Sequence, residues 1–215
     1  MRFQFFFQFI SSVIGIITLT AQFYLLLATA DANGTPYLTA IGRFFSYMTI
    51  WTNILITSYF VVSLTRPKSK LNDILQRPVI SSGFLVYILL VAITYHLLLA
   101  KVWNPTGLQY FVNISLHYII PIIYLIYWIF YLKKGTAKLR HPLVWLLYPT
   151  LYAIYSFFRG EMIHEYPYPF INVTQLGYAI VFRNFLLLSL AYYILGIFII
   201  AIDWILFKLK PEHGS

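Results

Sequence analysis

Thr49, His96 and His117 are the residues of this chain best suited to chemistry, and all three lie inside long apolar runs. A titratable ring in a hydrocarbon environment is costly, and such residues usually face a bundle interior or a water-filled cavity. A threonine hydroxyl becomes a usable nucleophile once a base accepts its proton, and a neutral imidazole can do that near physiological pH. A Thr–His pair of this kind would serve acyl transfer. Two histidines on separate helices would alternatively serve as axial ligands of a haem, and a polar layer without chemistry would serve a transporter or small-ligand receptor. The chain has no cysteine, which removes disulfides, thiolate nucleophiles and Cys-ligated zinc or iron–sulfur sites. No spacing of the remaining ligand types suggests a metal site, and no cofactor is expected for the Thr–His chemistry.

The elements that must position these residues are membrane spans. The chain of 215 residues is 60% hydrophobic and only 10% charged, with mean hydropathy +0.77, whereas soluble domains carry about 25% charged residues. A span needs about 20 mostly apolar residues. The apolar runs predict an all-α polytopic membrane protein, one domain over 1–215, with six transmembrane helices at about 5–27, 44–64, 79–100, 112–132, 143–158 and 178–207. Ala28-Thr29-Ala30 resembles a signal cleavage site, but the preceding apolar run is too long for an ordinary signal, so it reads as an uncleaved first helix.

The net charge of +9 is not a nucleic-acid footprint, because the positive residues fall in short loops between apolar runs. Arg66, Lys68, Lys70 and Arg77 share one loop and Lys133, Lys134, Lys138 and Arg140 another. Arg2, Lys208 and Lys210 mark the two ends, and only Arg43, Lys101, Arg159 and Arg183 fall on the other side. By the positive-inside rule both termini are expected in the cytoplasm.

With that orientation the polar residues align in depth. Thr49 lies about six residues into its span, roughly 9 Å along the axis. His96 and His117 each lie about five residues deep, and Arg183 and Asn184 reach a similar level on the last helix. Ser46, Thr49 and Asn53 follow an i, i+3, i+7 spacing and predict one stripe, with Thr52 at its edge. Pro121 follows His117 by four residues, so its missing N–H predicts a kink that frees the His117 carbonyl. The segment Tyr166-Pro167-Tyr168-Pro169-Phe170 predicts a rigid lid over this layer. Arg159 and Glu161, just ahead of it, are expected to pair with Arg183 or Lys101, or to face solvent. Asp203 is expected to cap the last helix or pair with Lys208. His141, His164 and His213 carry no assigned role.

Three segments resemble, in the same order, a group of bacterial six-span membrane proteins: Phe44-Phe45-Ser46-Tyr47-Met48-Thr49-Ile50-Trp51-Thr52-Asn53, Leu116-His117-Tyr118-Ile119-Ile120-Pro121 and Tyr166-Pro167-Tyr168-Pro169-Phe170. That group is similar to the androgen-induced-gene and androgen-dependent TFPI-regulating proteins of animals, six-span intramembrane hydrolases of fatty acid esters of hydroxy fatty acids. The resemblance implies a threonine nucleophile at Thr49 and a histidine base at His117. It also implies a lipid or acyl-ester substrate within the bilayer and residence in a bacterial cytoplasmic membrane. Ser46, Thr52, Asn53, His96, Arg159, Arg183 and Asn184 are the expected supporting or substrate-binding residues. Asn53, Asn184, His96 and Arg183 are the expected oxyanion donors.

Overall fold

The computed structural model describes residues 2–209, all helices and connecting turns with no strand among them; Lys210 and His213 lie outside this range. Ten α-helices follow in order: α1 (Arg2–Ala32), α2 (Tyr37–Phe44), α3 (Met48–Thr65), α4 (Lys70–Leu75), α5 (Pro78–Thr94), α6 (Gly107–Ile114), α7 (Ile120–Tyr131), α8 (His141–Trp145), α9 (Leu147–Ile163) and α10 (Val173–Lys208). Two π-helical turns, Tyr95–Leu99 and Ser115–Ile119, continue α5 and join α6 to α7. Five stretches are long and apolar enough to cross a membrane: Arg2–Ala32, Met48–Thr65, Pro78–Leu99, Gly107–Tyr131 and Val173–Lys208. The segment expected as a fifth span, 143–158, is instead divided between the five-residue α8 and the 17-residue α9.

The second predicted span also differs from expectation. The run from residue 44 breaks after Phe44, turns through Phe45–Tyr47 and restarts at Met48. Ser46 therefore sits in a turn, not on the helical stripe with Thr49 and Asn53. Its hydroxyl donates back to the Gly42 carbonyl at 2.6 Å, and its carbonyl accepts from the Tyr152 hydroxyl at 2.6 Å. The break has a consequence for chemistry: it places Thr49 in the first turn of α3, where backbone N–H groups have no partner within the helix.

Aromatic packing holds the centre of the bundle. Tyr59 and Phe60 of α3 meet Tyr124 and Tyr127 of α7 edge-on, with ring centroids 5.1–5.8 Å apart. All four rings are buried. Such edge-to-face pairs add stabilisation beyond area burial, and buried tyrosine hydroxyls require partners. Tyr127 accepts from Gln4 and Gln8 of α1, and Tyr124 donates to the Ser81 carbonyl of α5. Asp203 does not cap α10 or meet Lys208. Its carboxylate accepts from the backbone N–H groups of Gly135 at 2.8 Å and Ala137 at 3.4 Å, which pins the connection after α7 against α10.

At the opposite end of the bundle, α10 breaks at Gly177, whose φ of 75° and ψ of 158° no L-residue adopts readily. The break lets the chain leaving α9 turn back under the start of the last long helix, and the straight part of that helix then begins at residue 178, where the last span was expected. Gly160 has a different reason. A Cβ there would collide with the ring of Tyr166, so only glycine lets the segment after α9 fold back on it.

Candidate active site

Thr49 and His117 come together. Both are buried, and Thr49 Oγ1 lies 3.4 Å from His117 Nε2. His117 Nδ1 lies 3.0 Å from the Asn113 carbonyl, one turn earlier on the same face. A carbonyl oxygen only accepts, so Nδ1 carries the proton. In the neutral ring, Nε2 then presents its lone pair to the Thr49 hydroxyl. The backbone thus does the orienting that an acidic side chain does in a triad. Tyr95 fixes the ring plane from one side, stacked at 3.9 Å with an interplanar angle of 18°. Its own hydroxyl accepts from Asn113 Nδ2.

The local geometry follows from the π turn carrying His117. Ile120 N–H donates to the carbonyl of Ser115, five residues back. The same register carried forward by one residue would need an N–H from Pro121 for the Leu116 carbonyl, and proline has none. Asn53 Nδ2 supplies the missing donor at 3.2 Å and also bonds the Thr49 carbonyl at 2.8 Å. The carbonyl met from across the interface is therefore that of Leu116, one residue earlier than an α-helical register places it. Asn53 is fully buried and ties the backbone of Thr49 to that of the His117 turn. Replacing it with alanine is expected to strand the Leu116 carbonyl. Thermal or denaturant unfolding in detergent should then show a loss of about 1–2 kcal/mol.

The segment after α9 closes over this pair. Arg43 holds Glu165 with two hydrogen bonds, at 2.9 and 2.5 Å, and Arg159 bonds the Glu165 backbone carbonyl at 3.1 Å. The Arg43 guanidinium holds the Glu165 carboxyl below its ordinary pKa. Asn184 Nδ2 ties down the Phe170 carbonyl at 2.8 Å. Between these anchors Tyr168 stacks on Phe170, meets Tyr47 edge-on and brings its hydroxyl to 3.4 Å from both the Thr49 backbone N–H and Thr49 Oγ1. Burial pushes the Tyr168 hydroxyl above its ordinary pKa, so it remains a donor.

The other expected residues divide. Thr52 bonds its own helix at the Met48 carbonyl and meets the Tyr148 hydroxyl at 2.9 Å. With Tyr152 on Ser46, this fastens α9 to the start of α3. Asn184 and Arg159 hold the lid. Arg159 pairs with Glu165, not with Arg183 or Lys101, and Glu161 accepts from Tyr166 and Tyr178. Arg183 is exposed. His96 is exposed too and bonds Tyr118 at 3.0 Å. Neighbouring helical residues point about 100° apart, and Tyr95 takes the inward direction that His96 was expected to occupy. The two histidines therefore face different surroundings and do not converge as a ligand pair. Among the described residues, no three His, Asp or Glu side chains gather where they would hold a metal ion.

The sequence marked Tyr168 as part of the lid segment but gave it no contact with Thr49, and it gave no role to Tyr95, Asn113, Tyr148 or Tyr152. Asn113 was within reach of it, one turn before His117 on the same face.

An apolar cavity of about 90 Å³ leads away from Thr49 between α5, α9 and α10. Leu90, Val91, Phe157, Phe185, Leu188 and Tyr192 are among its walls, and Tyr168 and Phe170 form its roof. The arrangement can present a hydroxyl to a bound carbonyl, accept its proton and enclose a hydrocarbon chain. Comparison of the chain with protein-family models, with curated proteins and with solved structures finds no match.

Proposed function

We propose that this protein is an intramembrane hydrolase of acyl esters, such as fatty acid esters of hydroxy fatty acids, with Thr49 as nucleophile and His117 as base. The observation that carries this reading is the contact of Thr49 Oγ1 with the unprotonated nitrogen of His117, whose tautomer is set by the Asn113 carbonyl. The 3.4 Å separation is long for a hydrogen bond, as catalytic contacts often are before substrate binds.

In this reading Thr49 Oγ1 attacks the ester carbonyl carbon while His117 Nε2 takes the hydroxyl proton. The oxyanion that forms needs donors. The Thr49 N–H, which here donates to the Tyr168 hydroxyl oxygen, and the Tyr168 hydroxyl, which can rotate away from Thr49 Oγ1, supply two to an oxygen placed between them. The carbon–oxygen bond to the alcohol then breaks as His117 returns the proton to the leaving oxygen. Water, deprotonated by the same ring, attacks the acyl-threonine and releases the acid. The apolar cavity takes the acyl chain. The chain spans a bacterial cytoplasmic membrane six times, α8 and α9 together forming the fifth crossing. Both termini lie in the cytoplasm and the site lies near the outer face, as the distribution of Lys and Arg favours.

The test is turnover of fatty acid hydroxy-fatty-acid esters and of p-nitrophenyl acyl esters by purified protein in lipid nanodiscs. Wild-type activity is expected to depend on both Thr49 and His117, and undiminished rates in both alanine variants would refute the reading. Tyr168→Phe retains the aromatic packing and removes one oxyanion donor. It is expected to lower kcat by about 10²–10³-fold with KM little changed, measured on the same p-nitrophenyl ester.

A further inference from the structure

We infer that the polar vestibule beside the site binds the anionic end of the substrate lipid, a carboxylate or phosphate, between Arg43 and Arg159. The inference rests on the ester-hydrolase reading and adds to it a binding site for the charged end of the ester.

The vestibule is a cavity of about 350 Å³ reached by Arg43, Ser46, Tyr47, Arg159, Glu165 and Tyr166. It adjoins the apolar cavity across a thin partition. Ser46 and Tyr47 face the vestibule while the next two residues, Met48 and Thr49, face the apolar side. Tyr166 and Pro167 likewise face the vestibule while Tyr168 faces the apolar cavity. The edge-on contact of Tyr47 with Tyr168, at 5.8 Å, is part of that wall. An ester held at Thr49 would therefore have a hydrocarbon slot on one side and a charged chamber on the other.

The charges in that chamber do not balance. Two guanidinium groups share one carboxylate. Arg43 engages both oxygens of Glu165, which leaves Arg159 at 3.9 Å from the nearer one, beyond hydrogen-bonding reach. Arg159 then has one hydrogen bond, to the Glu165 backbone carbonyl, for a group with five donors, and its side chain is only 14% exposed. The nearby carboxylate of Glu161 is bonded to Tyr166 and Tyr178 instead. The remaining Arg159 donors open onto the vestibule, where an anionic acceptor can reach them. A carboxylate or phosphate oxygen pair matches its planar fork and neutralises the excess charge.

Equilibrium binding to the Thr49→Ala protein in phosphatidylcholine nanodiscs tests this without turnover. The probes are dodecanoate, dodecyl phosphate and dodecanol, which share a chain and differ at the head. At least one anionic probe is expected to bind about tenfold or more tighter than dodecanol. Arg159→Gln should remove that preference, and Arg159→Lys should restore part of it. A carboxylate preference identifies a fatty acid end and a phosphate preference a phospholipid headgroup. Equal binding of all three probes overturns the inference, as does an anion preference that survives in both Arg159→Gln and Arg43→Gln. Displacement of dodecyl phosphate by equimolar inorganic phosphate overturns the lipid assignment, because it shows a site for the free ion. Absence of ester turnover by the wild type would instead count against the hydrolase reading, whatever the probes do.

Discussion

Thr49→Ala is expected to lower kcat for acyl ester hydrolysis by about 10³-fold or more, the scale seen when a hydrolase loses its nucleophile but keeps its binding site. The side chain removed is small, and its contacts to His117 and Tyr168 are both 3.4 Å long. Unfolding stability should therefore change by less than about 1 kcal/mol. The backbone N–H of residue 49 remains, and so do the Tyr168 hydroxyl and the apolar cavity, so KM should move little. Thr49→Ser restores a hydroxyl at the same place without the methyl group and is expected to keep measurable turnover. Initial rates on a p-nitrophenyl ester, with circular dichroism as the check on folding, separate these outcomes. Equal loss in the serine and alanine variants would point to packing, not nucleophilicity.

His117→Asn is expected to lower kcat by about 10²–10⁴-fold, the range attributed to a positioned general base. Asparagine is chosen because its amide can still donate to the Asn113 carbonyl, as Nδ1 does now, while it offers no basic nitrogen to Thr49. The loss should lie in kcat and leave KM nearly constant, since the ring lines up the hydroxyl and is absent from the walls of the apolar cavity. The Thr49→Ala/His117→Asn double variant should be no slower than Thr49→Ala alone, because residues acting as one unit are not additive. A double variant slower by the product of the two single effects would show that the residues act independently.

What the sequence made legible follows from what residue types encode. Apolar runs mark candidate spans: α5 begins at Pro78, one residue from expectation, while α10 begins at Val173 and bends at Gly177, next to the expected start at 178. Thr49 and His117 were found by equal depth and by the family resemblance, and they do meet. Composition does not encode backbone register. The π turns at Tyr95–Leu99 and Ser115–Ile119 shift which residue faces inward and which carbonyl is left open. The second shift explains why the open carbonyl was expected on His117, whereas His96 was placed by depth alone, which does not fix the face a side chain takes. Nor does local pattern show that a loop 119 residues away from Thr49 in sequence returns to place Tyr168 on it. The helix break before Met48 was hidden for the same reason. Around it Tyr152 bonds the Ser46 carbonyl and Arg43 bonds Glu165, contacts made to α9 and the lid, which are distant in sequence.

The most direct test of the central claim is the site of acylation. Wild-type protein in nanodiscs, mixed with p-nitrophenyl decanoate and quenched in acid within the first turnover, should carry one decanoyl group. Peptide mass spectrometry should place it on Thr49, with a matching burst of p-nitrophenol. Thr49→Ala should show neither, and His117→Asn should form the adduct far more slowly. Ester turnover by the wild type with the decanoyl group on another residue, or at an undiminished rate in Thr49→Ala, would contradict the account.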